Sequence, residues 1–405
     1  MTTWHPPRRT PRADEVHAAA EADRAARPDA YALDPGPVIA AALRGNDPAG
    51  LGDPAVWREA LERYLASARD DGRLNAVGAR MVRGTAVAGL RARLAMNRLP
   101  RADRPLDRPP IVITGGWRTG TTFLYRLLAT DPRLRAPLPA ELALPWKFAG
   151  ASPERREELV QAGSAANDLL NLLNPALATV HDHGPRLPEE CVVAMNPGFR
   201  NWGFSATVRL EGYSRWLAGQ DLTGTYLDYR HALSTLDAAD GRRWLLKAPA
   251  HLAELPALAA AFPGATVIVL HRDIVRTVAS GASLFCVFRS TYSDHVDAAD
   301  VGRFLTDQTE LWLRRAHAFR RGPHAGSVGL LDIAYDDLVQ DAPAVLQRIY
   351  AAAGLAPGDP AALTDRYHAA HPRSAKGAHR YTPDDFGLDE AALRARLTPW
   401  TRPAS

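Results

Sequence analysis

Apolar positions recur at helical spacing through the first hundred residues and then change character at Ile111. Trp57, Leu61, Tyr64 and Leu65 lie three or four residues apart or side by side, and Val77, Met81, Val82, Val87 and Leu90 form a second such series. That spacing predicts a helical N-terminal region over residues 1–105, with a frayed tail within residues 1–36. Pro100, Pro105, Pro109 and Pro110 then read as a linker. From Ile111 the chain alternates short apolar, β-branched runs with amphipathic stretches. Strands are predicted over Ile111–Thr114, Trp244–Lys247, Thr266–His271 and Val328–Tyr335, with helices over 121–130, 250–261, 274–288 and 337–353. Near-continuous apolar strands between helices predict a parallel β-sheet flanked by helices on both faces, an α/β unit over 106–405. Residues 150–240 carry no strand pattern. They hold helical pieces and aromatics such as Phe199, Trp202, Tyr213 and Tyr229, and read as an insertion that builds an acceptor pocket.

Composition narrows this picture only modestly. A length of 405 residues suits one large domain with additions, or two domains. The net charge of +4, from 49 basic and 45 acidic residues, is too small a surplus to point to nucleic acid. Cys191 and Cys286 sit in apolar contexts and read as reduced, buried thiols. No apolar run approaches the ~18 residues of a membrane span. The first residues, MTTWHPPRRTPRADE, carry no apolar leader, so a cytoplasmic protein without an integral membrane segment is expected.

The chemistry begins at Gly115-Gly116-Trp117-Arg118-Thr119-Gly120-Thr121-Thr122. A strand, a glycine-bearing turn and a helix N-terminus make an anion cradle of backbone N–H groups. The Gly115-x4-Gly120 spacing is that of a Walker-type loop, but Thr121 stands where a nucleoside triphosphatase carries lysine. A 5′-phosphate held without γ-phosphoryl machinery follows from that departure. A second anion site is predicted where the Thr266–His271 strand ends. Arg272 offers a two-pronged donor, and Ser280 a hydroxyl eight residues later, with Arg276 one turn before it. Ligands of open α/β sheets gather at the carboxyl ends of strands. Two phosphate sites on that edge imply a nucleoside phosphorylated at both ends.

With both motifs in order, the chain resembles the sulfotransferases that use 3′-phosphoadenylyl sulfate. The 116–122 loop is similar to their 5′-phosphosulfate loop, and Arg272 with Ser280 to their 3′-phosphate motif. Trp244-Leu245-Leu246-Lys247-Ala248-Pro249 and Ile333-Ala334-Tyr335-Asp336-Asp337-Leu338 resemble the branch that includes bacterial and tyrosylprotein sulfotransferases. The resemblance spans about residues 110–390. It implies sulfuryl transfer from 3′-phosphoadenylyl sulfate to a hydroxyl or amine of a small-molecule or lipid acceptor, with no metal and no nucleic-acid partner; a homodimer is allowed.

Residue by residue, the resemblance gives Arg118 the 5′-phosphosulfate and leaving group, with Thr119, Gly120, Thr121 and Thr122 around the 5′-phosphate. Lys247 would reach the sulfuryl group, Arg272 and Ser280 would bind the 3′-phosphate, and Tyr335 and Lys376 would add donor contacts. Glu141 is the expected general base, with Glu189, Glu190 and His183 as competitors. His181-x-His183 beside the two glutamates is the nearest approach to metal-ligand spacing, and no metal is expected. Two other readings stay open: a P-loop kinase using ATP or GTP, with Asp273 as its Mg²⁺ carboxylate, and a non-catalytic nucleotide-binding protein of the same fold.

Overall fold

A computed structural model of the protein describes residues 4–101, 106–180, 182–236, 240–371 and 381–401. Within them lies a parallel sheet of five strands: β1 (Ile111–Gly115), β2 (Leu134–Arg135), β3 (Arg243–Lys247), β4 (Thr266–His271) and β5 (Gly329–Ala334). Their order across the sheet is β2-β3-β1-β4-β5, with every pairing parallel. β1 is central, between β3 and β4. Side chains alternate between the sheet's two faces, as strand geometry requires. Val112, Leu246, Val267 and Val269 join one hydrophobic cluster, while Ile111, Ile113, Leu245, Ile268 and Leu270 join another. The sheet is thus a doubly covered layer.

Four predicted strands are present, and the two-residue β2, too short to show periodicity, joins them. The helices differ from expectation where proline intervenes. The stretch predicted over 250–261 divides into a 3-10 segment, Pro249–Ala253, and a helix, Leu255–Ala261. Pro256 has no N–H to continue a hydrogen-bond ladder across that point. The stretch over 337–353 likewise divides into Tyr335–Gln340 and Ala342–Ala352, where Asp341 leaves helical geometry and caps the second piece through Ala344. The helix predicted over 274–288 runs on to Tyr292. A 24-residue helix, Ala298–Arg321, was not predicted.

The N-terminal region is helical: Pro11–Ala26, Pro35–Leu43, Pro54–Asp70 and Ala76–Met96. The first of these lies inside the stretch expected to fray, held at its start by the Thr10 hydroxyl, which accepts from the Ala13 N–H at 3.2 Å. Leu33, Trp57, Leu61 and Leu90 belong to the same hydrophobic cluster as Val112 and Leu246 of the sheet. The N-terminal helices and the sheet therefore share apolar packing. Residues 150–240 form short helices and turns, and none of their described residues lies in a strand.

Candidate active site

The central strand delivers the chain into a tight turn over residues 116–120. Gly115 and Gly120 are both required by close approach. A β-carbon on Gly115 would lie 2.6 Å from the Leu270 carbonyl oxygen, and one on Gly120, at φ +92°, would lie 2.9 Å from the Tyr335 ring. Arg118 itself adopts a left-handed backbone, φ +57°. Such strain persists only where surroundings over-determine it, and here it turns a guanidinium outward from the loop. The Thr119 hydroxyl donates to the Gly116 carbonyl at 3.0 Å and braces the turn from within. The Thr121–Leu128 helix then starts on Gly120, which supplies no side-chain cap. Its first N–H groups have no intrahelical partner, and the helix dipole adds partial positive charge there. The turn is an anion cradle.

Sheet order puts the second cation beside it. Arg272 directly follows β4, the neighbour of β1, and its Nη1 donates to the Arg118 carbonyl at 2.9 Å. The Arg272 guanidinium lies 4.2 Å from the centroid of Tyr335, which follows β5 and packs on Gly120. The ends of β1, β4 and β5 thereby meet. The Ile274–Tyr292 helix backs the loop closely: a β-carbon on Gly116 would lie 2.9 Å from Thr277 Cγ2, and one on Gly281 would lie 2.9 Å from Trp117 Cβ. Ser280 is buried on this helix and is not part of the cavity lining described below. Asp273 is engaged on both oxygens. One caps the Arg276 N–H at 3.0 Å and the other accepts from Arg394 at 2.6 Å.

On the other side of β1, Lys247 ends β3 almost wholly buried, at 2% exposure. A buried ammonium needs an anion, and Lys247 Nζ meets Glu190 Oε1 at 2.7 Å. It also lies 3.4 Å from the Thr122 hydroxyl and 5.6 Å from the Tyr125 ring centroid. The segment leading to Glu190 is tied to the first helix. Arg118 Nη1 donates to the Val180 carbonyl at 2.9 Å, Arg126 holds the Asp182 carboxylate at 2.7 Å, and the Tyr125 hydroxyl donates to the Glu189 carbonyl at 3.2 Å. Next in sequence, Cys191 is inert: burial pushes its thiol up to about 12.

Several of these groups border one cavity of about 670 Å³, with Lys247 outside its lining behind Glu190 and Thr122. Arg118, Gly120, Thr121, Thr122, Arg272 and Tyr335 line it together with Glu189 and Glu190. Water reaches Arg118 through the mouth, yet the walls displace enough of it to lower the guanidinium's pKa, and nearby Arg272 lowers it further. A bound anion would relieve both penalties.

Glu141 stands elsewhere. Its carboxylate is buried, 3.1 Å from Arg135 and 3.8 Å from Arg156, and accepts the Leu138 N–H at 3.0 Å. It is outside the cavity lining, as is half-buried His183. Thr119 turns its hydroxyl into the loop. Lys376 and His181 lie outside the described residues. Among the described residues no group of three or more His, Cys, Asp or Glu side chains could hold a metal ion. Sequence reasoning passed over Phe285 and Trp312, two aromatic walls of the cavity; Trp312 sits on the unpredicted helix, whose amphipathic spacing was the available signal.

A sequence model of the sulfotransferase family matches residues 109–359, more than half of the chain. The chain belongs to the sulfotransferase family. Two solved sulfotransferases resemble it along nearly their whole length. STF1 from Mycobacterium tuberculosis H37Rv is 26% identical, with a TM-score of 0.74 over 90% of this chain and 98% of that one. STF9 from Mycobacterium avium is 23% identical, with a TM-score of 0.75 over 91% and 96%, and shares the fold. No curated protein matches the chain. The family establishes sulfuryl transfer in general terms for this sulfotransferase, and among its described residues no helix is long and apolar enough to cross a membrane.

Proposed function

We propose that this sulfotransferase takes its sulfuryl group from 3′-phosphoadenylyl sulfate and passes it to the hydroxyl of a small-molecule acceptor, in the cytoplasm and without a metal. One observation carries the reading: Arg272 and the 116–122 loop are hydrogen-bonded to each other at the rim of a single cavity. A nucleotide with phosphates on both sides of its nucleoside suits two cationic sites that close together. The fit is chemical as well as spatial, because uncapped N–H groups at Thr121 and Thr122 favour an anion.

In this reading the acceptor oxygen attacks sulfur in line while the bond from sulfur to the bridging oxygen breaks. The departing electron pair moves onto the 5′-phosphate. Arg118 and the helix N-terminus stabilise that growing charge, which arginine can do only electrostatically. Lys247 stands between the two halves of the reaction, within reach of Thr122 on one side and Glu190 on the other. Glu190 takes the acceptor proton. It borders the cavity, and Lys247 orients its carboxylate at 2.7 Å. Glu141, expected from sequence as the base, instead holds the fold through Arg135. Ser280, buried on the helix that backs the loop, lies outside the cavity lining. For a kinase, Asp273 would have to leave both of its present partners to hold Mg²⁺.

Titration calorimetry with adenosine 3′,5′-bisphosphate and with ATP·Mg²⁺ tests the reading. Binding of the bisphosphate at micromolar concentration, lost in Arg272→Ala, is expected. Binding of ATP·Mg²⁺ alone would overturn it.

A further inference from the structure

Beyond the donor-facing rim the cavity changes chemistry. Val192, Ala206, Leu284, Phe285, Phe288 and Trp312 all contribute to its lining, with the polar Thr207 next in sequence to Ala206. Ring packing stiffens this wall: Trp117 meets Phe285 edge-on at 4.9 Å and Trp312 at a tilt of 36°, centroids 4.6 Å apart. A saccharide would lose its hydration there with few groups to replace it. An anion would face the Glu189 carboxylate, while the nearby Lys247 ammonium is already engaged by Glu190.

Trp202 occupies a special place in that wall. It borders both this cavity and a second one of about 430 Å³, so its indole is a partition between them. The second space is more polar, bordered by Arg209, Arg215, Arg303 and Asp307. The partition is held from behind. Trp202 Nε1 donates to Glu254 at 2.9 Å, and Arg315 anchors the same carboxylate oxygen at 2.5 Å while its other arm holds the Ala218 carbonyl at 2.6 Å. Trp202 also meets Trp312 edge-on at 5.9 Å. A large, buried ring held by a hydrogen bond to Glu254 and by packing on Trp312 resists a ligand pressing on it.

We infer that the acceptor is an uncharged, apolar alcohol or phenol, and that Trp202 limits how far it extends. This rests on the proposed function, since it assigns the acceptor half of the same cavity. Trp202 is thus a specificity-determining residue, and Glu254 and Arg315 are positioning residues that act through it.

The test is calorimetric binding of 1-alkanols from butanol to dodecanol, with 2-naphthol and maltose as further probes, to the full chain saturated with adenosine 3′,5′-bisphosphate. Each buried methylene should tighten binding about fourfold until the chain reaches the partition, after which the gain stops. In Trp202→Ala that break moves to longer alkanols, about sixteenfold tighter for two further methylenes. In Ala206→Phe, which fills the cavity from its own side, the break moves to shorter ones. Donor affinity stays the same in all three proteins. If Trp202→Ala fails to fold, Ala206→Phe alone decides. Maltose binding more tightly than the alcohols, or a break that does not move, overturns the inference. Bisphosphate binding with no alcohol binding overturns it and leaves the proposed function standing. Failure of the bisphosphate to bind removes both.

Discussion

Lys247 Nζ lies 2.7 Å from Glu190 Oε1, joining the end of strand β3 to a loop that also borders the cavity. Neither group is stable there without the other, because a buried ammonium and a carboxylate facing an apolar wall each need a counter-charge. Glu190→Gln removes the proton acceptor and keeps the side chain's shape. Turnover is expected to fall about 10²–10⁴-fold with bisphosphate affinity nearly unchanged, measured by single-turnover kinetics and calorimetry.

Lys247→Met tests the same pair from the other side. Without the ammonium the Glu190 carboxylate loses its 2.7 Å partner and its fixed orientation, so turnover is expected to fall in single-turnover kinetics while bisphosphate affinity holds. Unchanged turnover in this variant would mean that Lys247 neither orients the base nor reaches the sulfuryl group.

Glu141→Gln separates a structural carboxylate from a catalytic one. The Arg135–Glu141 pair is buried on both sides, and losing one charge strands the other. Denaturant unfolding should show a loss of about 3 kcal/mol while the turnover number stays within a few-fold of the parent. Loss of turnover in a stable variant would restore Glu141 as the base.

Gly120→Ala asks for a β-carbon 2.9 Å from the Tyr335 ring at a φ of +92°. The strain costs about 1–3 kcal/mol, and Tyr335 and Arg272 must shift together to relieve it. Both a lower melting temperature and weaker bisphosphate binding are expected. A stability loss with unchanged binding would mean the loop and Arg272 do not share a ligand.

His251 supplies a pH prediction. Burial, and then the nearby Lys247 charge, lower its pKa from 6.5 to about 3, and its Nδ1 pairs with the Tyr226 hydroxyl at 2.8 Å. The neutral ring is favoured in the folded state, so its contribution is complete above pH 6.5. It is lost as pH falls from there toward 3, because the unfolded chain binds the proton first. Melting curves across this window should fall more steeply for the parent than for His251→Gln, by up to about 1.4 kcal/mol per pH unit.

The local chemistry of the donor site is largely legible along the chain. The β-branched runs of β1 and β4 are buried along nearly their whole length, and with the short apolar stretches of β3 and β5 between helical segments they make the parallel sheet legible. Gly115 and Gly120 mark a turn because other residues cannot take its backbone, and Arg272 is recognisable at the end of its strand. What periodicity does not carry is which side chains meet across distance. Glu141 and Glu190 are both glutamates near prolines in short apolar stretches. Only packing places Arg135 against one and Lys247 against the other. The order β2-β3-β1-β4-β5 decides that Lys247 and Arg272 flank the same strand. Trp202 becomes a partition because Glu254 and Arg315, 52 and 113 residues further along, close in behind it. Sequence determines elements through local sterics and spacing; a site is made by contacts between elements, and those exist only once the chain has folded.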